Sequence, residues 1–496
     1  MYKQFIRAID LLVKYRNILV FIALPLLSTV MHRHVFTMDI QGAHEWRQTE
    51  TQTMIDNFAE KDMNILNPRV NNHGNQSDIF RMEFPLMEWI YAVFFKIFGD
   101  HIIISRILTF ITGLFCVFAF YRLAYIFTKD YFASMLGAFA FNFGPSFFFY
   151  TMNPMPDTMA LCFALWGLVF FFKWYYEKKN FHFVLCLIFF TLSTLIKLPF
   201  ILNFSLIYVN LLMSLFRSRF KNFGHVIGVG LFTLLVLSPA LAWYIWVIPG
   251  WEGNGIVQGM LNIHKDQWPV IRDIFKYNMT EMFPKLLLNQ AALWFFWSGI
   301  LFMILGGTWK KRTFILLFTW SLLIGSYYLF EINMIDKWHD YYLFPFLPFI
   351  FLIVLNGIYR LVKYRYVLPV LFVLIVCFYL PGKAAFFGKY RWALDPKEVN
   401  PDIIAYKKEL RNVVPDSSLV IVANDISPFI YLYHIHKTGW YIDNFYLPED
   451  QLVKDIHDGA RYFYCDTRKI DDKPELQKHF GRLVAKYGTV KVWELK

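Results

Sequence analysis

About eleven apolar segments, most of them close to twenty residues long, follow one another along most of the chain. A helix of about 20 mostly apolar residues crosses the hydrocarbon core of a bilayer, so this feature limits the fold more than any other. A transmembrane β-barrel would instead show short segments of alternating polarity. The candidate spans are 17–36, 103–126, 131–150, 158–176, 181–196, 199–216, 223–247, 290–308, 313–330, 341–360 and 366–381.

The composition also indicates a polytopic α-helical membrane protein. Hydrophobic residues make up 57% of the chain and charged residues only 17%, with a mean hydropathy of +0.39, whereas soluble domains carry about 25% charged residues. The net charge of +12 does not indicate nucleic-acid binding, because the basic residues stand in short clusters between apolar segments. The five cysteines form no C-x-x-C pair, so they indicate neither a disulfide framework nor a metal site.

The basic clusters predict which side of the membrane each loop faces. They stand at every second junction, including Lys178–Lys179, Arg217–Lys221 and Arg360–Arg365, and such clusters face the cytoplasm. The N-terminus is then cytoplasmic. The segments expected on the outer face are 37–102, 151–157, 248–289, 331–340 and 382–496.

Residues 382–496 differ from the rest of the chain. Apolar stretches at 419–423, 461–465 and 489–495 alternate with polar helical segments, the pattern of a small α/β domain. We therefore predict two domains. The first is a transmembrane module over 1–381 with outer loops at 37–102 and 248–289, and the second is an extracytoplasmic α/β domain over 382–496.

Within the first outer loop, the segment 85–98 is apolar but has only fourteen residues, with Glu88 and Lys96 among them. This length is short for a span. Counting it as a span would also place the later basic clusters outside. We interpret it as an interfacial helix.

The stretch 42–52, G-A-H-E-W-R-Q-T-E-T-Q, opens this loop. Ionisable groups beside a bilayer are candidate functional residues. As a helix over 44–58, it places the carboxylates of Glu45 and Asp56 on one face and apolar side chains on the other, which is equally the pattern of a plain interfacial helix. H-E-W-R-Q is not the H-E-x-x-H of zinc proteases, and His32 and His34 are more simply interfacial residues than metal ligands.

Other ionisable residues fall on the same predicted face. Asp39 follows the first span and Glu83 lies in M-E-F-P, while Asp157 follows a proline break, where it could simply cap the next helix. Carboxylates that act as bases, beside cations that stabilise a phosphate leaving group, suit a transferase with a phosphorylated lipid donor. The candidate cations are Arg47, Arg69, Arg81, Lys197, Lys337 and His339, of which Lys197 could instead be an interfacial anchor.

These motifs, in this order, resemble the membrane-embedded GT-C glycosyltransferases. The chain is similar to the bacterial branch with the protein O-mannosyltransferases and the lipid A aminoarabinose transferase, glycosyltransferase families 39 and 83, from the first span through the tenth. The matching elements are H-E-W-R-Q-T-E-T at 44–51, N-P-R at 67–69, M-E-F-P at 82–85, F-G at 98–99, Arg106, P-D at 156–157, K-L-P at 197–199 and H-D-Y-Y-L-F-P at 339–345.

The resemblance implies an inverting transfer of a hexose or pentose from a polyprenyl-phosphate carrier to an acceptor hydroxyl on the outer face. The essential acid of the family lies in the first outer loop, commonly in an Asp-Glu pair, which here reads His44-Glu45. Glu45 is thus the first candidate for the catalytic base, followed by Asp39 and Glu50. The residues implied near the donor phosphate are Arg47, Arg81, Lys197, Lys337 and His339. Those implied near the acceptor or a metal ion are His44, Glu83, Asp157 and Asp340.

Some relatives need a divalent cation and others do not, so the resemblance leaves Mg²⁺ or Mn²⁺ open. The expected partners are a polyprenyl-phosphate-sugar donor, membrane lipids and a glycan, lipid or protein acceptor, with no nucleic acid. The expected location is the bacterial inner membrane. The loop 248–289 is expected to close over the site, with Trp251 and Trp268 as sugar-stacking candidates.

Two other classes of protein remain as alternatives. A transporter or flippase of lipid-linked sugars would need ionisable groups near the middle of the bilayer, whereas the charges here concentrate at the predicted helix ends. A non-catalytic assembly factor would use the C-terminal domain to bind partners. The sequence names neither the sugar nor the class of acceptor.

Overall fold

The computed structural model describes residues 2–74, 78–251, 264–306, 311–396, 399–443 and 445–496. The chain forms two compact units, each built from segments that are far apart in sequence. The first unit comprises Met1–Thr37, Met82–Phe84 and Arg106–Lys389, and the second comprises Met38–Arg81, Pro85–Ser105 and Tyr390–Lys496.

Long apolar helices make up most of the first unit. Among the described residues, seven helices are long and apolar enough to cross a membrane, which confirms an α-helical integral membrane protein. They are Ile102–Thr128, Pro156–Glu177, Leu198–Arg217, Phe223–Gly250, Arg312–Phe330, Asp340–Val362 and Val367–Arg391. Two helix pairs also pass this test together, and both are bent: Tyr2–Lys14 with Arg16–His32 by 61°, and Lys265–Leu287 with Gln290–Leu305 by 100°.

Two predicted spans are shorter than expected. Span 131–150 is divided into the helices Tyr131–Asn142 and Pro145–Tyr150, because Pro145 has no N–H with which to continue the first helix. Span 181–196 is the helix Asn180–Ile196. At about 1.5 Å per residue, this helix is slightly shorter than the hydrocarbon core of a bilayer.

Three other predicted spans differ from the observed helices at their ends. Span 199–216 begins as the 3₁₀-helix Leu198–Phe204 before the α-helix Ser205–Arg217. The helix of the last span continues past 381 to Arg391. Span 290–308 contains the helix Leu293–Leu305, and its residues 307 and 308 lie outside the described part of the chain.

The second unit is built around a sheet, to which the described residues contribute five strands. The strands are β1 Leu419–Ala423, β2 Thr438–Ile442, β3 Tyr462–Cys465, β4 Phe480–Tyr487 and β5 Val490–Leu495. Their order is β2-β1-β3-β5-β4, with β1 parallel to β2 and β3, and β5 antiparallel to β3 and β4. The three predicted strands are present, while β2 and β4 were not predicted.

Short helices surround the sheet, and two longer ones come from the first outer loop. The helices of this unit are Glu45–Glu60, Leu86–Phe98, Pro401–Ala405, Lys407–Asn412, Ile430–His434, Glu449–His457, Arg468–Asp471 and Pro474–Gln477. Leu86–Phe98, the predicted interfacial helix, has 13 residues and is too short to cross a bilayer core of about 30 Å. It packs against Glu45–Glu60.

The first loop also extends the edge of the sheet. The Gly439 N–H donates to the Asn71 carbonyl at 2.9 Å, and the His73 N–H donates to the Gly439 carbonyl at 2.7 Å. A Cβ atom at position 439 would lie 1.7 Å from the Val420 carbonyl oxygen, so only glycine fits this point of β2. Residues 71–73 are thereby held against the sheet, and the helix Glu45–Glu60 contacts the helix Ile430–His434.

Candidate functional site

The helix Glu45–Glu60 begins after His44, whose backbone is left-handed with φ 59° and ψ 36°. Its predicted polar face is buried, Glu45 and Asp56 included, and so are Ile55 and Phe58 on the opposite face. The interpretation as a plain interfacial helix with a solvated acidic face is therefore wrong. Buried ionisable groups need partners inside the protein.

Glu45, the first candidate for the catalytic base, has such a partner. Its Oε1 lies 2.8 Å from Nε2 of His434, and both side chains are almost fully buried. His434 is the last residue of the helix Ile430–His434. Because the ring nitrogen faces a carboxylate oxygen, Nε2 carries the proton and donates it to Glu45 when Glu45 is ionised.

Asp39 lies in the same unit and forms an ion pair with Lys407. Burial raises the pKa of Asp39, but His434, the Lys407 ammonium and the Ile40 N–H together outweigh burial and hold the pKa below its ordinary value. The backbone N–H of Ile40 also donates to Oδ1 at 3.0 Å. Asp39 is thus kept ionised, beside the residue that contacts Glu45.

Glu50, the third candidate base, forms an ion pair with Arg47, one helical turn earlier, and both side chains are buried. The two charges are bound to each other, which opposes a role for Glu50 as a free base. Arg81 donates to the Leu66 carbonyl at 2.8 Å and to Asn67 Oδ1 at 2.7 Å. These bonds fix the loop that precedes residue 83.

In the first unit, Lys197 joins two of the predicted acids. Its ammonium donates to Glu83 Oε1 at 2.6 Å and lies 3.3 Å from Asp157 Oδ1. Lys197 follows the helix Asn180–Ile196, and Asp157 lies in the first turn of Pro156–Glu177. All three residues were predicted as candidates, but their mutual contact was not. Lys197 and Asp157 are buried, so Lys197 is not an exposed interfacial anchor.

Tyrosine rings enclose the same ammonium. The ring centroids of Tyr342 and Tyr341 lie 5.2 and 5.7 Å from Lys197 Nζ, within the range of a cation–π contact. The Tyr327 hydroxyl donates to the Tyr342 carbonyl at 3.3 Å, and Tyr327 lines the same small pocket as Asp157. Lys197 is therefore confined on several sides.

Asp340 begins the 3₁₀-helix Asp340–Phe346 and is fully buried. It accepts hydrogen bonds from the Tyr150 hydroxyl at 2.7 Å and from the Ser146 hydroxyl. These bonds link the helix Pro145–Tyr150 to the segment that carries Tyr341. They give Asp340 a structural task beside the Lys197 cluster, which comprises Lys197, Glu83 and Asp157.

The last two predicted cations have other partners. Lys337 is partly exposed and forms an ion pair with Asp273. Its pKa is raised by this hydrogen bond. His339 Nδ1 donates to the Met334 carbonyl at 2.7 Å, and its ring lies 5.7 Å from that of Tyr341. The structure thus pairs Lys337 with Asp273, outside the Lys197 cluster.

The predicted site residues are divided equally between the two units. The second unit contains Asp39, His44, Glu45, Arg47, Glu50 and Arg81, and the first contains Glu83, Asp157, Lys197, Lys337, His339 and Asp340. Part of the predicted closing loop, residues 252–263, lies outside the described residues. Of its aromatic candidates, Trp251 is half-buried and Trp268 is exposed.

Sequence reasoning missed several residues that contact these groups, among them His434, Lys407 and Tyr150. His434 and Lys407 lie more than three hundred residues beyond their partners, so no local pattern pointed to them. The described residues contain no group of three or more His, Cys, Asp or Glu side chains that could hold a metal ion. The side chains of the described residues therefore do not fit a metal centre of this kind, and no step below involves one.

Comparisons with known proteins agree with this architecture. Residues 83–243, which include the Lys197 cluster, match the family model described as dolichyl-phosphate-mannose-protein mannosyltransferase. A search of curated proteins gives no match.

Among solved structures, the chain is similar to ArnT from Cupriavidus metallidurans. The TM-score is 0.59 in the apo state and 0.62 with bound undecaprenyl phosphate, at 12% identity over 95% of this chain and 97% of the other. It is also similar to the Archaeoglobus fulgidus oligosaccharyltransferase, with a TM-score of 0.61 and 13% identity over 96% of this chain and 74% of the other. The chain therefore has the GT-C fold of membrane glycosyltransferases, as the order of its motifs predicted.

Proposed function

We propose that the protein is an inverting glycosyltransferase. It transfers a sugar from a polyprenyl-phosphate carrier to an acceptor hydroxyl on the extracytoplasmic face. The observation that carries this proposal is the buried Lys197 between the carboxylates of Glu83 and Asp157. Ionisable groups buried in a membrane protein are costly and mark functional sites, and all three residues fall within the stretch matched to the mannosyltransferase family.

Lys197 is the proposed partner of the donor phosphate. When the bond between the anomeric carbon and the phosphate oxygen breaks, the leaving phosphate gains negative charge, and a fixed ammonium stabilises that charge. Glu83 and Asp157 hold the ammonium in place. One similar structure contains undecaprenyl phosphate, which supports a donor of this chemical class.

Glu45 is the proposed general base. It takes the proton from the acceptor hydroxyl, whose oxygen forms a bond to the anomeric carbon as the phosphate leaves, with inversion at that carbon. Asp39 and Glu50 are weaker candidates, because each is bound in an ion pair. Glu45 is paired with a histidine instead.

The test measures the release of free polyprenyl phosphate by the purified chain in liposomes. The substrates are a panel of undecaprenyl-phosphate-linked hexoses and pentoses, and the acceptors are glycan, lipid and peptide fractions from cells that lack the protein. Lys197→Met is expected to lower turnover by about 100-fold or more, the scale of losing a transition-state charge contact. Glu45→Gln is expected to abolish turnover.

Lys179→Met is the matched control, because Lys179 has the same side chain but is exposed and pairs with Glu177 at 3.2 Å. It is expected to retain wild-type turnover. Acceptor-dependent release by wild-type protein separates an enzyme from both a flippase and an assembly factor. Equal loss in both lysine variants would refute the role given to Lys197, and near-normal turnover in Glu45→Gln would remove Glu45 as the base.

A further inference from the structure

His434 lies at the end of a short helix in the C-terminal part of the chain, yet it contacts the first outer loop. Its side chain is fully buried, and Nε2 lies 2.8 Å from Glu45 Oε1. Both residues belong to the second unit. The sheet places this helix against Glu45–Glu60, since residues 71–73 of the same loop are bonded to β2.

A buried carboxylate without a donor is strongly disfavoured and takes up a proton instead. The Nε2–H of His434 is the donor that the structure provides for Glu45. The protonated ring carries a proton on Nε2, and in the neutral ring the contact with a carboxylate oxygen selects the tautomer that has its proton on Nε2. His434 therefore fixes one oxygen of the carboxylate that the proposed function uses as the general base.

Further charged groups interact with the same pair. Burial raises the pKa of Asp39, but His434 and the paired Lys407 lower it further than burial raises it. On the other side, Glu45 is one of the groups that raise the pKa of Asp425. Glu45 is thus hydrogen-bonded to His434 and acts electrostatically on Asp425.

We infer that His434 is a positioning residue for Glu45, which makes the C-terminal part of the chain a component of the catalytic apparatus. The inference rests on the proposed function. His434 holds one carboxylate oxygen of Glu45 by a hydrogen bond and so fixes the orientation of the carboxylate. It need not touch either substrate.

The test compares the pH profile of kcat/KM for the wild type and H434F, H434Q and H434N in the release assay. Phenylalanine keeps a ring but removes the donor. In H434F, the acid limb of the kcat/KM profile is expected to move to a pH about one unit higher, because the hydrogen bond to the carboxylate is lost. At pH values below the limb, this shift corresponds to a loss of kcat/KM of about tenfold. Glutamine can supply an N–H at the reach of Nε2, so H434Q is expected to restore the limb, whereas the shorter asparagine of H434N is not.

H436F is the matched control. His436 also faces a carboxylate, since its Nε2 lies 3.2 Å from Oε2 of Glu60, the last residue of the helix Glu45–Glu60. Unlike His434, the His436 side chain is partly exposed. The H436F substitution is expected to leave the acid limb of the kcat/KM profile at its wild-type pH. If H434F does not fold, the contrast between H434Q and H434N decides the question.

Wild-type turnover together with an unmoved acid limb in H434F and H434N would overturn this inference alone. A fall in kcat/KM without a moved limb, and without rescue in H434Q, would also overturn it, since that pattern reflects structural damage. A wild type that releases no polyprenyl phosphate would overturn the proposed function and this inference with it.

Discussion

Asp39 and Asp425 lie in the same unit, yet their carboxyl groups have opposite pKa shifts. Asp39 has Lys407 beside it, and positive charge lowers its pKa although burial opposes this. Asp425 accepts backbone N–H bonds from Tyr431 at 2.7 Å and Ser427 at 3.0 Å. Burial outweighs these bonds, and the charge of Glu45 adds to it, so the pKa of Asp425 rises to about 7.

This shift predicts a pH dependence of stability. A raised folded-state pKa means that the native chain binds the Asp425 proton more tightly than the unfolded chain, so the stabilisation is complete below about pH 4 and is lost as the pH rises through about 7. Its size is on the order of 4 kcal/mol for a shift of about three units. The unfolding temperature of the wild type in detergent is expected to fall between pH 5 and pH 8.

Asp425→Asn is neutral at every pH, so the fall is expected to be smaller in this variant. Because other acids also titrate in this pH range, the quantity to compare is the difference in unfolding temperature between variant and wild type at each pH. Asp450→Asn, at an exposed carboxylate, is the control and should follow the wild type. Parallel curves for all three proteins would contradict the assignment.

Single residues of the candidate site were more predictable than their partners. Glu83, Asp157 and Lys197 stood out because charge beside long apolar segments is rare and costly. Their mutual contact, at 2.6 and 3.3 Å, depends on how helices pack, which periodicity does not describe. His434 carried no signal at all, because it follows ordinary apolar residues far from Glu45 in sequence.

At the scale of elements, two glycines determine how closely one helix pair packs. A Cβ at Gly299 would lie 2.1 Å from the Ile353 carbonyl oxygen, and one at Gly357 would lie 2.0 Å from the Phe295 carbonyl oxygen. The helices Leu293–Leu305 and Leu347–Val362 therefore meet backbone to backbone, as small residues permit in membranes. No side-chain movement can relieve such a contact.

Gly299→Ala and Gly357→Ala are each expected to force these helices apart and to lower the unfolding temperature clearly. Gly325→Ala is the matched control, because the same methyl group at that helical position meets nothing within 4 Å. Alanine also has a higher helix propensity than glycine by about 1 kcal/mol, so Gly325→Ala should be neutral or stabilising. Equal unfolding temperatures for the three variants would show that the packing is looser than described.

The elements that the sequence did not reveal have weak local patterns. β2 contains Gly439, and β4 carries the exposed Arg482 and Lys486 on a strand in which only Phe480 is buried. Neither looks like an apolar strand, and both form because neighbouring strands offer them hydrogen bonds. The helix Glu45–Glu60 was located well, but its burial was not foreseen, since an amphipathic pattern does not say what covers the polar face.

At the scale of the whole molecule, long apolar segments predicted the class of fold, because a bilayer demands helices of a certain length. They could not predict that the first loop and the C-terminal residues form one unit. That assembly depends on contacts such as those of Asn71 and His73 with Gly439. Such contacts are made across the chain and leave no periodic trace in either segment.

The basic clusters predict the orientation of the whole molecule in the membrane. We propose that the cluster Arg217–Lys221 faces the cytoplasm, since basic loops are retained there. The second unit, with Lys408 exposed on the helix Lys407–Asn412, is proposed to face outward. The five native cysteines are buried, so a single added cysteine can report its own side.

Lys408→Cys is expected to react with a membrane-impermeant maleimide in intact spheroplasts, because its side chain would stand in the outer solution. Lys221→Cys, equally exposed in the structure, is expected to react only after the membrane is opened with detergent. The unsubstituted chain measures the background from native cysteines. Labelling of Lys221→Cys alone in intact spheroplasts would invert the orientation, and would place Glu45 and His434, which share the unit of Lys408, on the cytoplasmic side.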